Sequence, residues 1–118
     1  MSGAEEFVYA RGGLSVDEIQ DEIAQFWQIL DTQVSPALDA QLSAAGLDRA
    51  AFEHVNRENA IIVRAGRSGV DPGTAVLLVS LAPSANRIIK DLWKKIVLPR
   101  IRERWGEDAI GKEKRGQD

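Results

Sequence analysis

The amino-acid sequence predicts a mainly α-helical domain of about five short-to-medium helices, and three observations support this class. Helix-capping signals recur along the first half of the chain, and apolar residues repeat at helical spacing in two long stretches. Residues 72–82 are apolar on every side, which is typical of a buried helix. We therefore expect residues 72–82 to form the central helix, with the other helices packed around it.

The first helix has the clearest start signal. Ser15 is followed three residues later by Glu18, which forms a capping box, and Leu14 and Ile19 occupy the two positions of a hydrophobic staple. From this point apolar side chains fall on one face at helical spacing: Val16, Ile19, Ile23, Phe26, Trp27, Leu30 and Val34. The pattern predicts an amphipathic helix that begins directly after Ser15.

Two shorter helices are predicted next. Proline is favourable at a first helical position, and Pro36 follows a serine, so residues 36–45 are expected to be helical. Gly46 is suited to end this helix because it accepts a left-handed conformation. A further cap at Asp48 predicts a third helix over residues 49–55.

Two segments have the composition of β-strands. Residues 7–9 read Phe-Val-Tyr, and residues 60–65 are rich in β-branched side chains. An isolated strand leaves its backbone groups unpaired, so we expect these segments to form one small two-stranded pairing with each other. The competing interpretation extends the third helix as far as Val63.

An amphipathic, basic helix is predicted after residue 84. Its apolar face is formed by Ala85, Ile88, Ile89, Leu92, Trp93, Ile96 and Val97, and its opposite face is largely basic. Leu98 precedes Pro99 and is therefore expected to leave helical geometry before a last turn that ends at Gly106. Residues 1–106 are expected to form a single helical domain, and residues 107–118, which are poor in apolar side chains, a disordered tail.

The composition bounds the class of protein. A chain of 118 residues with 44% hydrophobic side chains fits one globular domain. The absence of cysteine excludes disulfides and thiolate ligands, and it makes a cytoplasmic location the default expectation. Glu5 and Glu6 stand where a signal peptide needs positive charge. The uncharged window of residues 72–86 is shorter than the roughly 20 residues of a transmembrane helix.

Charge is distributed unevenly along the chain. Residues 1–60 contain 11 acidic and 3 basic side chains, whereas residues 61–118 contain 12 basic and 7 acidic side chains. Two halves of opposite sign suggest docking within one chain or between copies. The overall pI near 5.2 makes nucleic acid an unlikely partner, since dedicated binding domains are usually basic.

No residue set in the sequence indicates catalysis. His54 is the only histidine and has no partner at a recognisable spacing, and the glycine-containing segment 66–73 lacks the lysine of a phosphate-binding loop. The acidic cluster at residues 17–22 lies on one helix turn, whereas hard-cation sites gather oxygen ligands from several segments. The sequence therefore predicts a protein that is not an enzyme, with no catalytic residues, no cofactor and no metal site.

The C-terminal amphipathic helix is the predicted interaction site. Tryptophan and arginine are enriched at interface hot spots, and the candidate contact residues are Trp93, Lys94, Arg100, Ile101, Arg102, Arg104 and Trp105. The hypothesis is a non-catalytic protein-protein interaction module or accessory subunit that binds a protein partner or self-associates. The alternative is a peripheral module that binds an anionic membrane surface through the basic helix 84–104.

Overall fold

The computed structural model describes residues 5–67, 75–82 and 86–114 and shows a mixed α/β fold. The strands are β1 (Glu5–Ala10), β2 (Ile61–Arg67), β3 (Ala75–Leu81) and β4 (Glu113–Lys114). The helices are α1 (Val16–Thr32), α2 (Pro36–Ala44), α3 (Arg57–Ala60), α4 (Asn86–Leu92) and α5 (Leu98–Trp105), together with a 3₁₀ helix (Arg49–Phe52) and a π-helical turn (Trp93–Val97). The prediction of a mainly α-helical domain is therefore wrong.

The error lies in the segment that was predicted to be the buried central helix. Residues 75–81 form β3, which pairs with β1 on one side and with β2 on the other. Six of the seven residues of β3 are buried or half-buried, and hydrophobic periodicity cannot separate so short an apolar run from a buried helix. Residues 72–74 of the predicted helix lie outside the described residues.

The sheet contains both predicted strands but not their predicted pairing. Its order is β2-β3-β1-β4, and every neighbouring pair is antiparallel. Val79 of β3 lies opposite Phe7 of β1 and opposite Val63 of β2, so β3 separates the two strands that were expected to pair directly. The competing extension of a helix to Val63 is also wrong, because α3 ends at Ala60.

Alternate residues of the three long strands face one hydrophobic core. The inward set is Phe7, Tyr9, Ile61, Val63, Leu77, Val79 and Leu81, and the buried residues of the helices belong to the same cluster. The helices therefore cover one face of the sheet. Most side chains on the other face are partly or fully exposed, among them Glu6, Ile62 and Arg64, but Val76 is buried there.

The predictions for the first two helices are confirmed. Ser15 accepts a hydrogen bond from the Glu18 amide at 3.1 Å, and the Glu18 carboxylate accepts one from the Ser15 amide at 2.8 Å. Helix α2 begins at Pro36 after the Ser35 cap. Helix α1 ends earlier than the apolar pattern suggests, so Val34 lies beyond it and is 93% exposed. The predicted third helix is a 3₁₀ turn followed by the separate helix α3.

The helical stretch from residue 86 to Trp105 continues through Pro99, contrary to prediction. Leu98 keeps helical dihedral angles (φ −61°, ψ −48°), and its amide donates to the Trp93 carbonyl, five residues earlier. Proline cannot donate to the carbonyl four residues before it, and its ring clashes with that carbonyl. The wider π-helical turn directly before α5 is the local adjustment that lets the helix pass Pro99. Residue 84, after which this helix was predicted to begin, lies outside the described residues.

The segment after Gly106 packs onto the domain as far as Lys114. Ala109 and Ile110 are buried, and β4 pairs with β1. The Ala10 amide also donates to the Lys112 carbonyl at 2.9 Å. The expectation of a disordered tail therefore does not describe residues 107–114, and residues 115–118 lie outside the described part.

The alternation along β3 gives a direct test of the fold. Val79 is completely buried in the core, so Val79→Asp is expected to prevent folding, because it places an unpaired carboxylate there. Leu78 lies on the open face and is partly exposed, so Leu78→Asp is expected to fold with a loss of about 1–2 kcal/mol. Circular dichroism melts of the two variants would measure how much structure and stability each one loses. Equal loss of structure in both variants would contradict a strand in which one residue faces the core and the next does not.

Candidate interaction surface

Two of the predicted contact residues, Trp93 and Ile101, are buried in the core of the domain. Trp93 is 0% exposed, and its Nε1 donates a hydrogen bond to the Tyr9 hydroxyl at 2.9 Å. The two rings also meet edge to face, with centroids 6.1 Å apart. Because Trp93 and Ile101 are covered by their own chain, neither can contact a partner while the domain is folded.

Burial also changes the chemistry of Tyr9. Loss of solvation raises the pKa of its hydroxyl to about 12, and the hydrogen bond from Trp93 opposes part of this rise. A neutral hydroxyl in this position can accept the indole N–H without placing a charge in the core. Tyr9 therefore acts as a structural acceptor that joins β1 to the π-helical turn.

The raised pKa of Tyr9 predicts a loss of stability at high pH. The pKa in the folded chain lies above the ordinary value of about 10, so this stability is complete below pH 10 and is lost as the pH rises through about 12. The effect is expected to reach roughly 2–3 kcal/mol. Tyr9 is the only tyrosine, so the ultraviolet absorbance of ionised tyrosine reports it alone. Denaturant unfolding of wild type and Tyr9→Phe across this pH range would measure the loss in the free energy of unfolding. Identical pH profiles of the two proteins would contradict the prediction.

Two further predicted contact residues, Lys94 and Arg102, hold the C-terminal segment in place. Lys94 Nζ lies 2.8 Å from Glu113 Oε1 and 4.3 Å from the centre of the Phe7 ring. Arg102 donates from Nη2 to the Ile110 carbonyl at 3.2 Å and to the Gly111 carbonyl at 2.8 Å. Their charges and donors are thus used within the chain.

The remaining three predicted contact residues lie at the surface, and Trp105 is the most informative. Its side chain is 49% exposed, whereas Trp27 and Trp93 are buried. The Arg104 guanidinium carbon lies 5.5 Å from the centre of the Trp105 ring, within cation–π range. We call Arg100, Arg104 and Trp105 the Trp105 surface.

Arg104 also connects the two oppositely charged halves of the chain. Its Nη1 lies 3.7 Å from Glu22 Oε2, and Glu22 belongs to the acidic cluster of α1. The expected docking of the acidic and basic halves therefore occurs within one chain at this point. Arg100 is exposed on the same helix and lines a neighbouring groove.

Two recesses border the Trp105 surface. The smaller has a volume of about 410 Å³ and is lined by Gly13, Leu14, Glu18, Trp105, Gly106, Glu107, Asp108 and Ala109. The larger, about 710 Å³, lies between α2 and α5 and is lined by Gln41, Ala44, Ala45, Lys95, Ile96, Pro99, Arg100, Arg102, Glu103 and Glu107. Both are open; charged residues of either sign line the larger recess, and the charged residues that line the smaller one are acidic, which suits a polar contact around the exposed indole.

Other chemistry-bearing residues are scattered. Within residues 5–67, 75–82 and 86–114, no three His, Cys, Asp or Glu side chains gather closely enough to hold a metal ion. His54 is exposed, beside the polar turn that precedes α3.

Sequence reasoning missed Gln20, whose side chain binds the backbone of β2. Its Nε2 donates to the Ile61 carbonyl at 3.1 Å, and its Oε1 accepts from the Val63 amide at 2.9 Å. The only sequence signal is a polar residue directly beside the buried Ile19. That signal could not have identified the partner strand 41 residues away.

Comparison of the chain with protein-family models, with curated proteins and with solved structures finds no match. In the described ranges, every helix is too short or too polar to cross a membrane. Function must therefore be inferred from the chemistry of the surface.

Proposed function

We propose that this protein is a non-catalytic interaction module or accessory subunit that binds another protein through the Trp105 surface. The observation that carries the proposal is that Trp105 is 49% exposed, whereas the other two tryptophans of the domain are buried. Tryptophan has the largest side chain of any residue type. Leaving a large aromatic ring in water forgoes the free energy of burial, and a partner that covers it recovers that energy.

The neighbours of Trp105 favour a protein partner. Arg104 contacts the ring, and Arg100 extends the basic edge toward the larger groove. Tryptophan and arginine are the residue types most enriched at interface hot spots, where an aromatic anchor is surrounded by a polar rim. The acidic residues of the smaller recess, among them Glu107 and Asp108, would contribute such a rim.

The binding surface in this proposal is smaller than the one that the sequence predicts. The apolar face of the helical stretch, including Trp93 and Ile101, is occupied by the core, so the helix cannot offer that face to a partner. Among the described residues of this stretch, Trp105 at the C-terminal end is the one large hydrophobic side chain that is exposed. A cytoplasmic location is part of the proposal, since the chain contains no cysteine.

The alternative, binding to an anionic membrane, has less support. An interfacial helix inserts its apolar face into the lipid, and here that face is buried. Several of its cations also have acidic partners, as in Lys94 with Glu113, which weakens the field available to lipid headgroups. Salt-sensitive binding of the protein to anionic vesicles would favour this alternative.

The test compares Trp105→Ala with a control at Val34, which is also exposed but lies between α1 and α2. Affinity capture with wild type as bait identifies partners, and each is then purified and titrated against the variants. Trp105→Ala is expected to weaken binding by about 2 kcal/mol, roughly 30-fold, whereas Val34→Ala should leave it unchanged.

Fluorescence provides an independent readout of the same contact. Trp105 is the one tryptophan with substantial exposure among three, so it should dominate quenching by acrylamide. Partner binding is expected to protect it. Equal affinity of wild type and Trp105→Ala for every captured partner would contradict the proposal.

A further inference from the structure

The smaller of the two recesses beside Trp105 has charged groups of one sign. Among the described residues, Glu18, Glu107 and Asp108 line it, and no lysine, arginine or histidine does. All three acids are exposed, and within the described ranges none of them takes part in an ion pair. We call this recess the acidic recess. Its carboxylates are therefore available to a partner.

The walls of the acidic recess are fixed by backbone hydrogen bonds. The Gly13 amide donates to the Asp108 carbonyl at 2.8 Å, and the Leu14 amide donates to the Ala109 carbonyl at 3.2 Å. These bonds hold the loop before α1 against the turn after α5. Gly12 permits the close approach, because a Cβ at this position would clash with the Asp108 carbonyl oxygen. A recess that is formed in advance lowers the entropic cost of binding.

The helix ends beside the acidic recess do not change the sign of its charge. Gly106 ends α5 and lines the recess, so the partial negative charge of that helix terminus lies nearby. The N-terminal turn of α1 carries partial positive charge, which Asp17 and Glu18 in the same turn offset. A cation from a partner would reduce the repulsion among the carboxylates, whereas an acidic partner would increase it.

Trp105 gives the acidic recess an aromatic wall. The face of an indole ring attracts cations, arginine more often than lysine. Arg104, which lies 5.5 Å from the centre of this ring and 3.7 Å from Glu22, is not among the residues that line the recess. A guanidinium can stack on an aromatic ring and also bind a carboxylate through two N–H groups, which an ammonium group cannot do. The indole and the carboxylates together therefore match arginine.

We propose that the partner of the Trp105 surface is a protein with a basic segment, one arginine of which enters the acidic recess. This inference rests on the proposed function, since Trp105 is both the anchor of the surface and a wall of the recess. The guanidinium stacks on the indole and binds the carboxylates of Glu107 and Asp108. Glu18 contributes less, because its Oε1 accepts the Ser15 amide at 2.8 Å in the capping box.

Selection from a phage-displayed library of random dodecapeptides tests the charge of the partner segment. Wild type is the bait, and clones that also bind Trp105→Ala are discarded. The remaining clones are expected to be enriched in arginine relative to the unselected library. Enrichment in acidic residues, or in apolar residues without a cation, would overturn the inference. The absence of any clone that depends on Trp105 would also overturn it.

Titration of the tightest selected peptide tests the carboxylates. Glu107→Gln combined with Asp108→Asn keeps the size of both side chains and removes two charges, so it is expected to weaken binding by roughly fivefold. The matched control is Glu53→Gln combined with Glu58→Gln, which removes two charges at exposed positions outside the recess. The control should bind like wild type. Equal weakening in both double variants would show an effect of net charge alone and would overturn the inference.

A neutral analogue of arginine tests the direct contact. Citrulline has nearly the shape of arginine without its charge, so replacing the arginine of the peptide with citrulline should weaken binding to wild type. The same replacement should have little effect on binding to the Glu107→Gln and Asp108→Asn double variant, because the carboxylates that sense the charge are absent. Equal losses in wild type and in the double variant would contradict a contact between these groups.

The inference and the proposed function fail separately. A captured partner that binds Trp105→Ala weakly but binds the Glu107→Gln and Asp108→Asn double variant like wild type would overturn the inference and leave the proposed function intact. Equal affinity of every captured partner for wild type and Trp105→Ala would contradict the proposed function, even where arginine peptides occupy the acidic recess.

Discussion

The contact between Trp93 and Tyr9 joins the two layers of this protein. Tyr9 lies on β1, and Trp93 begins the π-helical turn between α4 and α5. Their rings meet edge to face and share one buried hydrogen bond. Because a buried indole N–H without an acceptor costs about 1–3 kcal/mol, this pair sets both the position and the rotation of the helical stretch on the sheet.

The surface chemistry follows from that placement. Once Trp93 is fixed in the core, Ile96, Val97 and Ile101 are also turned inward, so the apolar stripe of the helix is used by the domain itself. Trp105 lies at the end of the stretch and remains half exposed. The available anchor is therefore one aromatic ring with its arginines.

The oppositely charged halves of the chain also form ion pairs with each other within the domain. Arg64 pairs with Glu6, and Arg104 lies near Glu22, so cations of the second half meet acids of the first within one chain. The Arg64–Glu6 pair is exposed, and exposed ion pairs contribute about 0–1 kcal/mol each. Their effect is to reduce the charge asymmetry that a partner or a membrane would encounter.

The parts of the fold that could be predicted from sequence are those with local causes. The Ser15 capping box and the proline that begins α2 depend on residues within one helical turn, and both are present. The identity of β3 depends on neighbours far away in sequence, so its apolar run was equally compatible with a buried helix. Ile110 shows the same limit, because a lone apolar residue in a polar segment gives no periodicity from which burial could be inferred.

The candidate site was predicted only in part for the same reason. Trp93 and Trp105 both follow the helical pattern, and only tertiary packing decides that one is buried and the other exposed. Gln20 had no recognisable signal, since its role depends on the edge of a strand that is adjacent only in space.

A double-mutant cycle on Tyr9 and Trp93 tests the central claim most directly. The free energy of unfolding would be measured by denaturant for wild type, Tyr9→Phe, Trp93→Phe and the double variant. Tyr9→Phe should cost about 1–3 kcal/mol in the wild-type background, because it leaves the indole N–H unpaired, and about 1 kcal/mol less when Trp93 is already phenylalanine. Additive effects, within about 0.3 kcal/mol, would show that the two side chains are not coupled and would contradict this account.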